Sequence, residues 1–318
     1  MILSLIEKEG KVSAARLVDD LGISRQAIFK HHLTPMVGDG TLTKVGKPPC
    51  VFYVLNNDVA PTFYDFDIAI KNILDENFLY ILPNGKRQDG AKGFVSWCEK
   101  RNFDVLAKAS EYTKIFKKYN ALKKMDLISG KKKIQSTFHK NSCLDDLFYA
   151  DFYAWEIFGK TKLGQILLYA KQSQDRKMIK EVVGQIRTPL KDLIKKKKID
   201  AVGFAPPTVK RSVQFMKVLE KELTLDLPRI EIIKIQTDVV TPQKTLSKLE
   251  DRIENANYTM HVSQNKSYRK ILLIDDAVGS GATLNQIACK IKKIDMTQRV
   301  YGFAITGSLK GFDVISEV

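Results

Sequence analysis

The stretch Lys270-Ile-Leu-Leu-Ile-Asp-Asp-Ala-Val-Gly-Ser-Gly-Ala-Thr-Leu284 limits the possible folds more than any other part of the chain. Four consecutive apolar residues, Ile271, Leu272, Leu273 and Ile274, read as a short strand buried on both faces. Two adjacent carboxylates, Asp275 and Asp276, leave that strand at its C-terminal end. A loop of small residues follows, and a helix is expected from about Ala282. In open α/β sheets, ligands bind beyond this end of the strands. Loop amides and the N-terminus of the next helix form an anion pocket suited to phosphate. Gly279 and Gly281 allow the backbone to approach a ligand closely, and Ser280 and Thr283 add hydroxyl donors. The paired acids are placed to accept ribose hydroxyls or to hold Mg²⁺, in part through water.

From Asp151 onward, apolar strand-like runs at 201–205, 230–235, 270–274 and 300–306 alternate with helical patterns near 161–171, 175–197, 210–223 and 282–293. Pro189 is expected to interrupt the second of these helices. Such alternation predicts an α/β domain over 151–318 with a parallel sheet covered on both faces. Residues 58–150 read as a mostly helical middle segment. The glycine-rich stretch 84–94 within it reads as a turn rather than a phosphate cradle, and Lys131–Lys133 as solvated surface.

The run 270–284 resembles the phosphoribosyl pyrophosphate signature of type I phosphoribosyltransferases. The resemblance implies that Asp275 and Asp276 are the catalytic-site acids at the ribose. It makes Gly279, Ser280, Gly281, Ala282 and Thr283 the 5′-phosphate loop. Gly279 departs from the Thr or Ser frequent at that position, at the cost of one hydroxyl donor. More widely, 158–307 resembles the ComF-like branch of that superfamily. Lys171 follows an apolar helix-like stretch, Pro206-Pro207 ends a strand, and Gln243-Lys-Thr-Leu246 leads to Arg252 and Asn255. Lys171, Lys210, Arg211 and Arg252 are thereby candidates for the pyrophosphate side. The cysteine-rich zinc segment of that branch is absent, and Lys210-Arg-Ser-Val-Gln-Phe replaces its Arg-Gly-Phe-Asn.

Residues 1–57 resemble a winged helix-turn-helix. Leu17 to Gly22 close its first helix, and Ser24 caps a recognition helix with Ala27, Ile28 and Leu33 on the buried side. Arg25, Gln26 and Lys30 offer major-groove donors. The wing, 41–53, carries Lys44 and Lys47 towards phosphate. Double-stranded DNA is the implied partner, with a homo-oligomer on a palindromic site. Docking on a protein is the other use of such a head.

The net charge of +16 favours a polyanionic partner. Residues 151–318 carry +10 of it and residues 1–55 only +2, so the excess is not confined to the head. The four cysteines lie far apart without a CxxC pair and are expected as free thiols. No apolar run is long enough for a membrane span and the N-terminus does not read as a secretory signal, so a cytoplasmic protein is expected. Two functions fit. One is a transcription regulator that senses phosphoribosyl pyrophosphate or a nucleotide with Mg²⁺, an architecture shared by the purine operon repressor family. The other is a phosphoribosyltransferase-type enzyme or effector of a bacterial anti-phage or toxin system, of the kind encoded beside retron reverse transcriptases. In the second case the middle segment would serve as a partner interface.

Overall fold

The computed structural model describes residues 1–55, 64–207, 211–235, 246–263 and 266–309. The chain divides into two compact units, Met1–Asp65 with Leu82–Lys86, and Phe66–Ile81 with Arg87–Val318.

The first unit holds helices Ile2–Glu9 and Ala14–Leu21, a helical stretch from Arg25 to Gly38, and a three-stranded antiparallel sheet. Cys50–Leu55 is its central strand, flanked by Val12–Ser13 and Leu42–Lys47. Ser13 and Ser24 cap the second and third helices, accepting from the amides of Arg16 and Ala27. Gly22 ends the second helix in the left-handed conformation. Ile6, Leu17, Ile28, Leu33, Leu42 and Tyr53 form one core. The third helix widens to π geometry over Ile28–Leu33, with the Thr34 amide donating to the Phe29 carbonyl. Pro35 just beyond has no amide for an ordinary turn, which explains the local change of register.

The second unit is built on a six-stranded sheet. Its strands are β1 (Lys123–Lys124), β2 (Leu127–Ser129), β3 (Asp146–Phe152), β4 (Ala201–Phe204), β5 (Ile271–Val278) and β6 (Val300–Gly307), in spatial order β4-β5-β6-β3-β2-β1. The four strands β4, β5, β6 and β3 run parallel, and β2 and β1 add an antiparallel edge. The helices are α1 (Ile68–Asn77), α2 (Gly90–Glu99), α3 (Val105–Asn120), α4 (Lys131–Phe138), α5 (Lys162–Ser173), α6 (Arg176–Lys197), α7 (Phe215–Leu223), α8 (Leu249–Thr259) and α9 (Ala282–Lys293). One sheet face buries Leu272, Ile274, Phe303 and Ile305 against α5 and α6. On the other, a side chain at Gly302 would meet Leu147 and, in α9, Leu284, so glycine permits that close packing. Among the described residues, no helix is long and apolar enough to cross a membrane.

The structure departs from the sequence reading in several places. A boundary at 150 falls inside β3, and the middle segment is helical but also supplies β1, β2 and most of β3. Asp145, Asp146 and Asp151 broke the apolar alternation that would have marked that strand. Ile232–Lys234 lies outside the main sheet and pairs antiparallel with Met260–Val262. Pro189 does not interrupt its helix, since α6 is continuous and buries the ring. The glycine-rich stretch closes a hairpin, Leu79–Ile81 with Arg87–Asp89, and begins α2. Cys143 and Cys289 form a disulfide with Cα atoms 5.0 Å apart, whereas Cys50 and Cys98 are free. Their separation of 146 residues hid the pair, and packing of the segment before β3 against α9 brings them together.

Because β3 completes the parallel core, a chain beginning at Asp151 is expected to be insoluble, whereas the full chain folds. Leu147→Ala should destabilise the full chain by about 2–5 kcal/mol through the cavity it leaves, measured by urea unfolding.

Candidate functional site

The exit of β5 is where side chains with chemical potential gather. Ile271 to Ile274 are fully buried, which fixes the strand between β4 and β6. Asp275 and Asp276 follow at the C-terminal edge, the Asp275 carboxylate accepting from the Asp276 amide at 2.8 Å. Burial, and then the neighbouring Asp276 charge, push the Asp275 carboxyl well above its ordinary range. The pair therefore favours a cation or a hydrogen-bond donor beside it. The Lys171 ammonium, near the end of α5, reaches Asp276 at 2.5 Å.

Lys171 also organises its surroundings. The Arg211 guanidinium donates to its backbone carbonyl. Three residues on, the Gln174 side-chain oxygen accepts from the Ser212 hydroxyl at 2.7 Å and the Val213 amide at 2.8 Å. These contacts fasten the segment after β4 to the end of α5. Lys171, Arg211, Asp275 and Asp276, far apart in sequence, are thus held along one edge of the sheet. Lys210 and residues 243–245 lie outside the described residues. Arg252 is buried in the first turn of α8, its Nε donating to the Leu246 carbonyl at 2.6 Å. That contact ties it to the segment leading into its own helix.

The loop between β5 and α9 is compact. Gly279 and Thr283 are half-buried; Ser280, Gly281 and Ala282 are buried. The Ser280 hydroxyl accepts from the Ala282 amide at 3.3 Å, so it turns back onto the helix start. Gly281 is the N-cap of α9, with φ of +83° and no side chain to cap the first turn. Amides at that end are the groups that receive an anion. A Cβ at Gly281 would lie 2.5 Å from Cδ1 of Ile134 in α4. The small residue is thus required by backbone conformation and by α4 packing, beyond any need of a ligand.

Helix α4 contributes a residue that composition had concealed. The Lys133 amine donates to the Ser308 hydroxyl and, at 3.3 Å, to its carbonyl. The Ser308 amide donates in turn to the carbonyl of Val278, the residue before the loop. Burial lowers Lys133 from 10.5 to about 8. In sequence it is one of three consecutive lysines, and nothing distinguishes it from its neighbours. Its partner lies 175 residues away, so no local signal marks it.

Not every buried acid belongs to this site. Asp145 and Asp200 sit where the strands begin. Burial opposes ionisation of Asp145, yet the Val300 amide, Lys292 and Arg299 hold it below the usual carboxylate range. Asp200 accepts from the amides of Arg269 and Lys270. Both are committed to structure. Among the described residues, no group of three or more His, Cys, Asp and Glu is arranged to hold a metal.

The candidate DNA contacts lie in the first unit. Arg25, Gln26, Lys30 and Lys44 are exposed, and Arg25 lies over the Phe29 ring at 5.9 Å. Ser24 is occupied as a helix cap. Nothing is described of the Lys47 side chain.

No protein-family model matches the chain, and no curated protein matches it. Among solved structures, it is similar to a hypoxanthine phosphoribosyltransferase from Staphylococcus aureus at 14% identity and a TM-score of 0.24. That similarity covers 44% of this chain and 82% of the other. Likeness at that level carries no functional argument, so the chemistry rests on the residues themselves.

Lys133 gives a signed pH prediction. Its folded pKa lies below its unfolded one, so the unfolded chain holds more protons between about 8 and 10.5. The penalty is complete below that window and fades as pH rises through it. The stability of the wild type relative to Lys133→Met should therefore increase from pH 7.5 to 10, followed by urea unfolding. A difference that stays flat would mean that the amine is solvated.

Proposed function

We propose that the second unit binds phosphoribosyl pyrophosphate, or a nucleotide 5′-monophosphate, together with Mg²⁺. We further propose that the first unit is a winged helix-turn-helix that binds double-stranded DNA, making the protein a ligand-sensing transcription regulator. The observation that carries the ligand reading is the arrangement at the β5 exit. Two adjacent acids on a buried strand stand beside the N-terminus of α9, whose N-cap Gly281 has no side chain, joined by a loop of small residues.

A phosphorylated ribose meets the needs of both halves. Asp275 and Asp276 accept its hydroxyls, and the amides of residues 279–283 receive the 5′-phosphate. Lys171 and Arg211 stand on the side where a pyrophosphate would lie, with Lys171 balancing Asp276 until an anion competes for it. Mg²⁺ fits the donor set, because burial and mutual repulsion leave the acid pair seeking positive charge. Asp275 and Asp276 would hold it, with remaining ligands from water and ligand oxygens, as this ion prefers. When bound, it would neutralise charge shared by the carboxylates and the phosphates.

Support for the DNA reading comes from three helical segments, a strand pair in the place of a wing, and exposed Arg25, Gln26 and Lys30 on one helix. The net charge of +16 supports binding that weakens steeply with salt.

Calorimetry with phosphoribosyl pyrophosphate should show binding that depends on Mg²⁺. Changing Asp275→Asn and Asp276→Asn together should weaken it at least about tenfold, as expected when charge-assisted bonds are lost, while the thermal transition persists. Absence of heat with every 5′-phosphorylated ribose compound would sink the reading. Release of pyrophosphate on adding free bases would instead identify an enzyme.

For DNA, Arg25→Ala should cost about 1–3 kcal/mol at a cognate site if it reads a guanine. Lys30→Ala, at a phosphate, should flatten the salt slope by about one. Unaltered affinity in both variants, measured by fluorescence anisotropy, would remove the recognition-helix assignment.

A further inference from the structure

The third helix of the first unit does not keep one register along its length. The Ile28 amide donates to the Ser24 carbonyl and the Asp39 amide to that of Pro35, both at ordinary α spacing. Between them, the Thr34 amide passes over the Lys30 carbonyl and donates to Phe29, five residues back. A turn of this kind holds one residue more than an α-turn. Each residue beyond it therefore takes the direction its predecessor would have in an unbroken α-helix, a rotation of about 100°.

Burial follows the rotated register. Ile28 and Leu33 are 0% and 1% exposed, and Met36 packs against the same core. In an unbroken α-helix, Ile28 and Leu33 would point about 140° apart, and Leu33 would stand in line with Gln26, seven residues before it. With one residue inserted, Leu33 and Met36 lie an effective four and seven residues beyond Ile28. That is the stripe of a helix that covers a core.

The same rotation decides what faces solvent. Gln26, Lys30 and Thr34 are all exposed. Lys30 is four residues beyond Gln26, and Thr34 lies an effective seven beyond it, so the three form one row. Without the insertion, Thr34 would be turned about 80° away from Gln26. His31 is exposed as well but stands roughly a quarter-turn from Lys30, off the row. The row is roughly 10 Å long, which matches about three base-pair steps of a duplex. Its chemistry suits a major groove. It offers an amide that can pair with adenine, an ammonium for guanine or phosphate, and a short side chain with both a hydroxyl and a methyl.

We propose that Thr34 reads a base edge in the major groove, at the far end of a row begun by Gln26, and that the widened turn brings it there. The proposal rests on the reading of the first unit as a DNA-binding head. It adds a specificity-determining residue beyond Arg25, Gln26 and Lys30.

The test is selection by the full chain from a duplex pool with a randomised central stretch, followed by sequencing of the bound fraction. The wild type is expected to enrich one motif. Gln26→Ala and Thr34→Ala should each flatten the preference at one position of that motif, by at least about fivefold. The two positions should lie about three base pairs apart. His31→Ala should leave the motif unchanged. Thermal unfolding of each variant checks that the head is intact, as expected for exposed residues. A motif that responds to Gln26→Ala but is the same for Thr34→Ala as for the wild type would overturn the proposal and leave the DNA reading standing. So would a motif that changes with His31→Ala in place of Thr34→Ala. A wild type that enriches nothing would overturn both.

Discussion

Two like charges at the exit of a buried strand set the terms for the second unit. Asp275 and Asp276 follow four fully buried residues and cannot move away without pulling β5 from between its neighbours. Their repulsion has to be relieved locally. Lys171 does so from α5, and α5 in turn anchors the segment after β4 through Gln174. The electrostatic demand of one dipeptide thus accounts for why three chain segments converge at this edge. It also gives the edge its chemistry, because a balance held by one lysine can be redistributed when a ligand brings its own charges.

The loop beyond the acids is held from the opposite side. Ile134 of α4 occupies the space that a side chain at Gly281 would need, and Lys133 reaches Ser308 at the end of β6. The segment after α4 is fastened to α9 as well. Asn285 accepts from the Cys143 amide and donates to the Asn141 carbonyl, and Cys143 is joined to Cys289 one helical turn further on. Residues before the parallel strands β4, β5 and β6 therefore shape the loop between β5 and α9 as directly as residues within the sheet. The middle of the chain is part of the α/β unit and cannot be regarded as a spacer.

The distribution of buried acids follows the same logic. At the start of the strands, Asp145 and Asp200 are saturated with amides and cations, and their charge is spent on structure. In the C-terminal halves of their strands, Asp275 and Asp151 are less fully compensated, and burial raises both. The sheet thus has a closed, fully paired end and an end where charge is left available. The proposed phosphate site lies at the second.

The sequence alone determined what local chemistry can encode. A run of apolar residues, two acids, small residues and a helix start specify β5, its loop and α9, because each depends on near neighbours and on backbone conformation. Ser24 as a cap, and Ile28 and Leu33 as core, were legible for the same reason. Only the tertiary structure decided which distant groups join them. Aspartates interrupted the apolar pattern of β3, and its place beside β6 depends on pairing with a strand some 150 residues later. Lys133 looked like its two neighbours until burial singled it out, and 146 residues separate Cys143 from its partner. Arg252, matched by a local pattern, lies buried at the start of its own helix. Periodicity and capping are short-range and survive in the sequence, whereas burial and charge pairing belong to the packed chain and arise only on folding.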